Sequence, residues 1–369
     1  MKIATIVGAR PQFIKAAVVS RAIKAHSEKE ILPNFRPTGL MNEVIIHTGQ
    51  HFDSNMSEIF FQEMNIPNPL YNLNINSLSH GAMTGQMIEK IEEVLMIEQP
   101  EWVLLYGDTN STLAGSIAAK KLHIKIAHIE AGLRMFDMKN PEEINRLVTD
   151  RLSDILFCPS LVAVENLLNE GFGNFDCKVI NCGDVMYDAV LYYQCKAKKP
   201  NLSLPSRFTL CTMHRAENTD DTNSLNNIMQ ALEEVSKVCP VVFPIHPRTR
   251  NKLINANYNF LSSNIHFIEP VGYLEMVWLL KNCELVFTDS GGLQKEAYFF
   301  EKYCIIFNDK TPWVEINTGG LNKLVGNDKT KIIEAFHYFF TLSKLGFGIQ
   351  LYGDGNAGVK IVDSLLHFN

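Results

Sequence analysis

Long apolar runs are missing from this sequence. None approaches the ~18 residues that a membrane-spanning helix needs, so no membrane association is expected. A dominant charge of one sign is missing too: 34 Lys and Arg stand against 40 Asp and Glu, a formal charge of −6. Without a large basic field, nucleic acid is not expected as a partner. The eight cysteines include no CxxC and no short metal-ligand spacing. In a chain of this size they read as reduced thiols in a cytoplasm, which argues against a disulfide or zinc scaffold. The opening MKIATIVGAR has no apolar signal segment with a cleavage site, so secretion is not expected. Short-period repeats and low-complexity tracts are absent. What is present is ordinary globular composition, 46% hydrophobic and 20% charged over 369 residues, enough for two domains.

Short β-branched runs alternate with longer amphipathic ones. Strands are expected at residues 2–7, 44–48, 102–106, 125–129 and 155–158, then at 208–212, 241–244, 265–268, 285–288 and 303–307. Helical patterns at 12–25, 85–98, 111–122 and 224–238 lie between them. This βαβα alternation predicts α/β architecture: two Rossmann-like doubly wound domains of parallel sheet facing a cleft. The polar, proline-bearing segment 194–207, QCKAKKPNLSLPSR, reads as the linker. Ligands are then expected at the carboxyl ends of the strands.

After the first strand comes Gly8-Ala9-Arg10-Pro11-Gln12, and Lys15 follows one turn into a helix. Basic side chains at the positive end of a helix point to an anionic ligand, or else to a plain surface Arg and Lys. After the strand at 285–288, Asp289-Ser290-Gly291-Gly292 opens another helix. Its bare N–H groups and the Ser hydroxyl suit a phosphate, with Glu296 placed to take ribose hydroxyls; a simple capped helix is the alternative. Gly353, Gly355 and Gly358 match GxGxxG literally, but no second strand fits after them, so a turn and helix cap is expected there.

Asp108 follows the strand at 102–106, and Glu130 follows the one at 125–129. A loop returns Glu142 nearby. Carboxylates crowded together can divide acid and base roles, as proton abstraction from carbon requires. Alternatively, Glu142 or Glu143 pairs with Arg146 and pins a helix. His214, beside Arg215, and His246 each end a strand of the second half, where a histidine serves as acid or anion ligand. His128 and Glu130 alone are not expected to make a metal site.

Together the runs GARPQFIKAA, HTGQHFD, GDTNSTLAG, HIEAGLR, PEEINR, HRAEN, HPRT and DSGGLQKEA resemble the non-hydrolysing UDP-N-acetylglucosamine 2-epimerases over essentially the whole chain. The hydrolysing relatives open with a different loop. The resemblance implies a glycosyltransferase-B-type fold, with the last helix crossing back onto the first domain. The domains are then 1–193 plus 350–369, and 194–349. It implies a homodimer that takes a UDP-sugar without cofactor or metal. It implies elimination of UDP across C1 and C2 to a 2-acetamidoglycal, protonation of C2 on the opposite face, and re-addition of UDP. Asp108, Glu130, Glu142 and His214 match the family's catalytic residues. Arg10, Ser290, Gly291 and Gly292 match diphosphate contacts, Glu296 the ribose contact, and Lys15 a basic site residue. Arg134, Arg215 and His246 complete the expected substrate-binding set. Gln50 and His51 lie in stretches that match an allosteric site of some relatives.

Asn55-Met56-Ser57, Ser79-His80-Gly81 and Gly183-Asp184-Val185-Met186-Tyr187-Asp188 look more like the branch acting on UDP-2,3-diacetamido-2,3-dideoxyglucuronate, which serves O-antigen and related surface polysaccharides. Gln12, where other members have Glu, removes a negative charge and suits an acidic sugar, or is only a helix residue. Asn308 stands where the family usually has Arg, which leaves a catalytically impaired UDP-sugar-binding paralogue as an alternative. Glycosyl transfer is another, disfavoured by the carboxylate set.

Overall fold

Strand β4, Trp102–Tyr106, is buried along its whole length, as a strand covered on both faces must be. It stands at the centre of the first of two sheets in the computed structural model, which describes residues 1–30, 39–50, 64, 66–342, 347 and 350–368. The chain divides into two compact units, Met1–Leu191 with Gln350–Asn369, and Tyr192–Ile349.

In the first unit β1 is Lys2–Val7, β2 Asn42–His47, β3 Tyr71–Asn72, β5 Lys125–Ile129, β6 Ile155–Cys158 and β7 Lys178–Asn181. Among the described residues the order is β3-β2-β1-β4-β5-β6-β7, with every pairing parallel. Ile6, Val103 and Leu105 pack against Met87, Ile91, Ala114 and Ala118 of the helices His80–Glu98 and Asn110–Lys121. The strand order reverses between β1 and β4. At such a switch point the loops leaving the two strands diverge and open a crevice.

In the second unit β8 is Thr209–Thr212, β9 Val241–Pro244, β10 His266–Ile268, β11 Val286–Thr288, β12 Cys304–Ile306 and β13 Asn322–Leu324. Their order is β10-β9-β8-β11-β12-β13, again parallel, with the reversal between β8 and β11. Residues 194–207 hold no helix or strand. Among the described residues no helix is long and apolar enough to cross a membrane.

The expected strands are present with ends shifted by up to two residues. Missing from the expectation are β3, β7 and β13, which are short; β3 and β7 are also partly exposed and weakly patterned. The GxGxxG stretch is a turn before the helix Ala357–Leu366. Gly353 and Gly355 have φ of +84° and +78°. The Asp188 carboxylate caps that helix by accepting the N–H groups of Ala357 and Gly358 at 3.2 and 2.9 Å. Gly358 lies so close to the helix Arg10–Glu30 that an added Cβ would stand 2.9 Å from Val18 Cγ1.

Candidate active site

The crevice of the first unit begins at Gly8, where an added Cβ would fall 2.1 Å from Thr48 Oγ1 and 2.2 Å from Ser111 Oγ. Gln12 locks this turn to the one after β4. Its Oε1 accepts the N–H groups of Gly8 at 2.8 Å and Ala9 at 3.0 Å. Its Nε2 donates to Tyr106 O at 2.8 Å and Thr112 Oγ1 at 3.0 Å. Gln12 is therefore part of the buried structure, and it also lines the cavity of this crevice. An ionised Glu would lose both donations, so Gln12→Glu is expected to cost about 1–3 kcal/mol of stability. A urea titration of the variant checks this, and an unchanged midpoint would refute it.

Arg10 is the first residue of the helix Arg10–Glu30, and Lys15 lies one turn further on. The Lys15 ammonium is bonded to the Glu130 carboxylate, and both are buried. Glu130 has φ +73°, a left-handed conformation that a non-glycine residue holds only where its surroundings enforce it. Here the N–H groups of Glu130 and Ala131 both donate to Phe157 O, at 3.1 and 3.0 Å. Gly107, at φ +64°, leaves the space for the pair. A Cβ there would stand 3.1 Å from both Glu130 Oε2 and Lys15 Nζ.

Tyr106 and Ile129 are partners in the β4–β5 ladder, so Asp108 and Glu130 leave neighbouring strand ends. Asp108 Oδ2 receives Arg146 Nη2 at 2.6 Å, and Asp108 O receives Asn145 Nδ2 at 2.9 Å. Arg146 also bonds to Glu143. Burial works against its charge, but Asp108 and Glu143 outweigh that and raise the guanidinium pKa. The helix Pro141–Leu152 carries Glu142, Glu143, Asn145 and Arg146. Its start is set by Pro141 and by the Asn140 side chain, which accepts the Glu142 N–H at 3.0 Å.

Lys15, Gln50, His80, Asp108, Glu142 and Asn145 are among the residues around a cavity of about 230 Å³. That is below the ~300–1,000 Å³ of sites for drug-sized ligands, and suits a sugar ring better than a whole nucleotide sugar. Gln50 Oε1 accepts Ser111 Oγ at 2.8 Å. His51 lies outside the described residues. His80 was not among the expected site residues. It heads the helix His80–Glu98, with Nδ1 3.3 Å from Asn110 Nδ2. Asn145 and Arg146 were likewise missed as site residues, and their i+3 and i+4 spacing from Glu142 is the signal that places them on its helix face.

Arg134 is a correction. It was expected to touch substrate, but it is 2% exposed and all three of its nitrogens are bonded within the protein. Its Nε and Nη2 bind Glu170 at 2.6 and 2.7 Å, and Nη1 binds Leu133 O and Asp150 Oδ2, each at 2.7 Å. Asp150 also bonds His128 Nδ1 at 2.7 Å, and the other ring nitrogen of His128 lies 2.7 Å from Gly107 O. Burial disfavours the Asp150 carboxylate, yet His128 and Arg134 outweigh it and hold its pKa below the usual range. This network underlies the site as a brace.

In the second unit the turns after β8 and β11 meet on buried Asp289. Its carboxylate accepts the N–H groups of His214 at 3.0 Å and Arg215 at 2.8 Å, and Asn218 Nδ2 at 3.3 Å. His214 Nδ1 is 3.5 Å from Asp289 Oδ1, and its ring centroid is 5.7 Å from that of His246. His246 caps the helix Pro247–Asn255 by accepting the Arg248 N–H at 3.2 Å. Ser290 precedes the helix Gly291–Phe299, and its hydroxyl makes no capping bond. Gly292 has open space where a Cβ would be, and Arg215 Nη2 lies 3.9 Å from the Cβ position of Gly291. A guanidinium beside a bare helix N-terminus is an anion-binding arrangement. Glu296 is buried one turn on. Asn308 contacts Asn218 and the backbone of Asp289 through long, uncharged hydrogen bonds of 3.4 and 3.5 Å.

The sequence profile described as UDP-N-acetylglucosamine 2-epimerase matches residues 35–366. The UDP-2,3-diacetamido-2,3-dideoxy-D-glucuronate 2-epimerase of Pseudomonas aeruginosa is 52% identical, with 99% of each chain covered. A UDP-N-acetylglucosamine 2-epimerase homolog of Methanococcus maripaludis is 48% identical, again over 99% of both. Among solved structures, the Methanocaldococcus jannaschii UDP-GlcNAc 2-epimerase in complex with UDP-GlcNAc and UDP superposes with a TM-score of 0.89 at 40% identity, covering 99% of each chain. The two doubly wound units are the glycosyltransferase-B-type pair. By profile, by identity and by fold, the chain belongs to the UDP-N-acetylglucosamine 2-epimerase family, whose named members are isomerases.

Proposed function

We propose that this enzyme inverts C2 of a UDP-2-acetamido sugar, and that its sugar is 2,3-diacetamido-2,3-dideoxyglucuronate. The observation that carries the chemistry is the gathering of Asp108, Glu142 and the Lys15–Glu130 pair at the β1–β4 crevice. The choice of sugar is supported by the 52% identity to the Pseudomonas enzyme. A carboxylate of this group takes the C2 proton while the C1–O bond to the β-phosphate breaks, and its electron pair leaves with UDP. The 2-acetamidoglycal then gains a proton at C2 from the opposite face, and UDP re-adds at C1. Atoms and electrons balance without oxidant or cofactor. In the second unit Ser290, Gly291 and Gly292 with Arg215 and His246 are assigned to the diphosphate, Glu296 to the ribose and His214 to the departing UDP; in the first unit Arg10 is assigned to an anionic group of the substrate.

On this reading the enzyme works as a homodimer in the cytoplasm and supplies surface-polysaccharide precursors, O-antigen among them. Separate incubations with the diacetamido-uronate and with UDP-N-acetylglucosamine test the choice, read by chromatography of the epimers. The expected kcat/KM ratio favours the uronate by at least about 10-fold. A preference for UDP-N-acetylglucosamine would refute the sugar assignment. Binding of both without turnover of either would instead support the impaired paralogue to which Asn308 points.

A further inference from the structure

Asp108 is held by a device that reaches beyond the pocket. The helix Pro141–Leu152 brings Glu142, Asn145 and Arg146 to one face at i, i+3 and i+4. Asn145 fixes the Asp108 backbone at 2.9 Å, and Arg146 fixes its carboxylate at 2.6 Å. Arg146 is 4% exposed and bonds Glu143 through its other terminal nitrogen. Glu143 is 1% exposed, and its carboxylate also accepts two successive backbone N–H groups, from Met135 at 3.0 Å and Phe136 at 2.8 Å. Phe136 has φ +54°. A bulky residue in that region is strained and persists only where its surroundings enforce it. Glu143 provides that enforcement.

We propose that Arg146 is a positioning residue for Asp108 and that Glu143 locks Arg146, so that the Met135–Phe136 turn, Glu143, Arg146 and Asp108 act as one rigid unit. The proposal rests on the reading of Asp108 as an acting carboxylate. Stability alone does not account for the second ion pair. Arg146 already has a buried partner in Glu143, whereas the Asp108 side chain is 30% exposed, and a pair open to water adds little stability. What the second pair does add is order. A carboxylate that exchanges a proton with carbon must stay within about 1 Å of its place, and loses about 10²-fold when it does not. The guanidinium is held by Glu143 through one terminal nitrogen and meets Asp108 Oδ2 through the other, so the direction of that bond is set by a rigid plane, which a lysine point charge cannot do.

Arg146→Lys keeps the charge and removes the rigid plane. The expected result is a melting temperature within a few degrees of wild type, KM within about 3-fold, and kcat lowered by about 10²-fold. The isotope effect with substrate deuterated at C2 should rise, because proton transfer becomes more fully rate-limiting. Glu143→Gln should move the same quantities the same way by about 10-fold, since one of its oxygens is lost to the two N–H groups. A purely structural role would lower kcat and melting temperature together and leave the isotope effect where it was. That outcome, or an unchanged kcat, would overturn the proposal. A crystal structure of Arg146→Lys gives a reading without turnover: the Asp108 carboxylate should have left its wild-type position, and an unmoved Asp108 would overturn the proposal by itself. Absence of epimerisation by the wild-type enzyme, with Asp108 displaced in the variant, would sink the proposed function and spare the positioning role.

Discussion

Asp108→Asn should lower kcat by about 10²–10⁴-fold, the range for removal of a positioned acid–base group. The substitution keeps the shape of the side chain and one oxygen for Arg146 Nη2, so the fold should survive. What it loses is the capacity to exchange a proton. KM should move by less than about 3-fold, because on this account Asp108 contributes mainly in the transition state. Steady-state kinetics on the UDP-sugar decide the matter. A variant within about 3-fold of wild type would remove Asp108 from the mechanism. Combination with Glu142→Gln should cost far less than the product of the two single effects, as for groups that serve one step together.

Removing Arg134 should act on stability and not on substrate. Arg134→Met removes the guanidinium from Glu170 and from wholly buried Asp150, which keeps His128. Breaking a buried ion pair in this way costs about 3–5 kcal/mol. In a unit of this size that lowers the melting temperature by roughly 10 °C. The molecules that remain folded should show a KM near wild type. The loss should also depend on pH in a definite sense. The folded pKa of Asp150 is depressed, so its stabilising contribution is complete above the unfolded value of ~3.9 and disappears as pH falls through the folded value. The gap between wild type and variant is therefore widest near neutrality and narrows in acid. Thermal melts at neutral and acid pH check both statements. An unchanged melting temperature with a raised KM would return Arg134 to the substrate.

The two cases differ in how far the sequence reveals them. Asp108, Glu130, Ser290 and Gly291 were legible because each follows an unmistakable strand, and a strand end in a doubly wound sheet is where ligands bind. The strands themselves were legible where burial is continuous, as in β4, and not in β7 or β13, where a short run carries no period. Arg134 was misread because a guanidinium committed to buried carboxylates has the same letters as one committed to a ligand. Its partners Asp150 and Glu170 lie 16 and 36 residues away and give no local signal. Gln12 carries two readings in the sequence for the same reason, since its partners sit on two strand ends that only the sheet order brings together. His80 joins the pocket from the start of a helix, by way of Asn110, and no spacing in the sequence connects the two.

The central claim is inversion at C2 through loss and return of a proton. Proton NMR of the purified enzyme with UDP-2,3-diacetamido-2,3-dideoxyglucuronate in D₂O tests it most directly. The account predicts appearance of the C2 epimer, still bonded to UDP, with deuterium at C2. An epimer that keeps its original C2 hydrogen would contradict it, and so would release of UDP together with the free sugar.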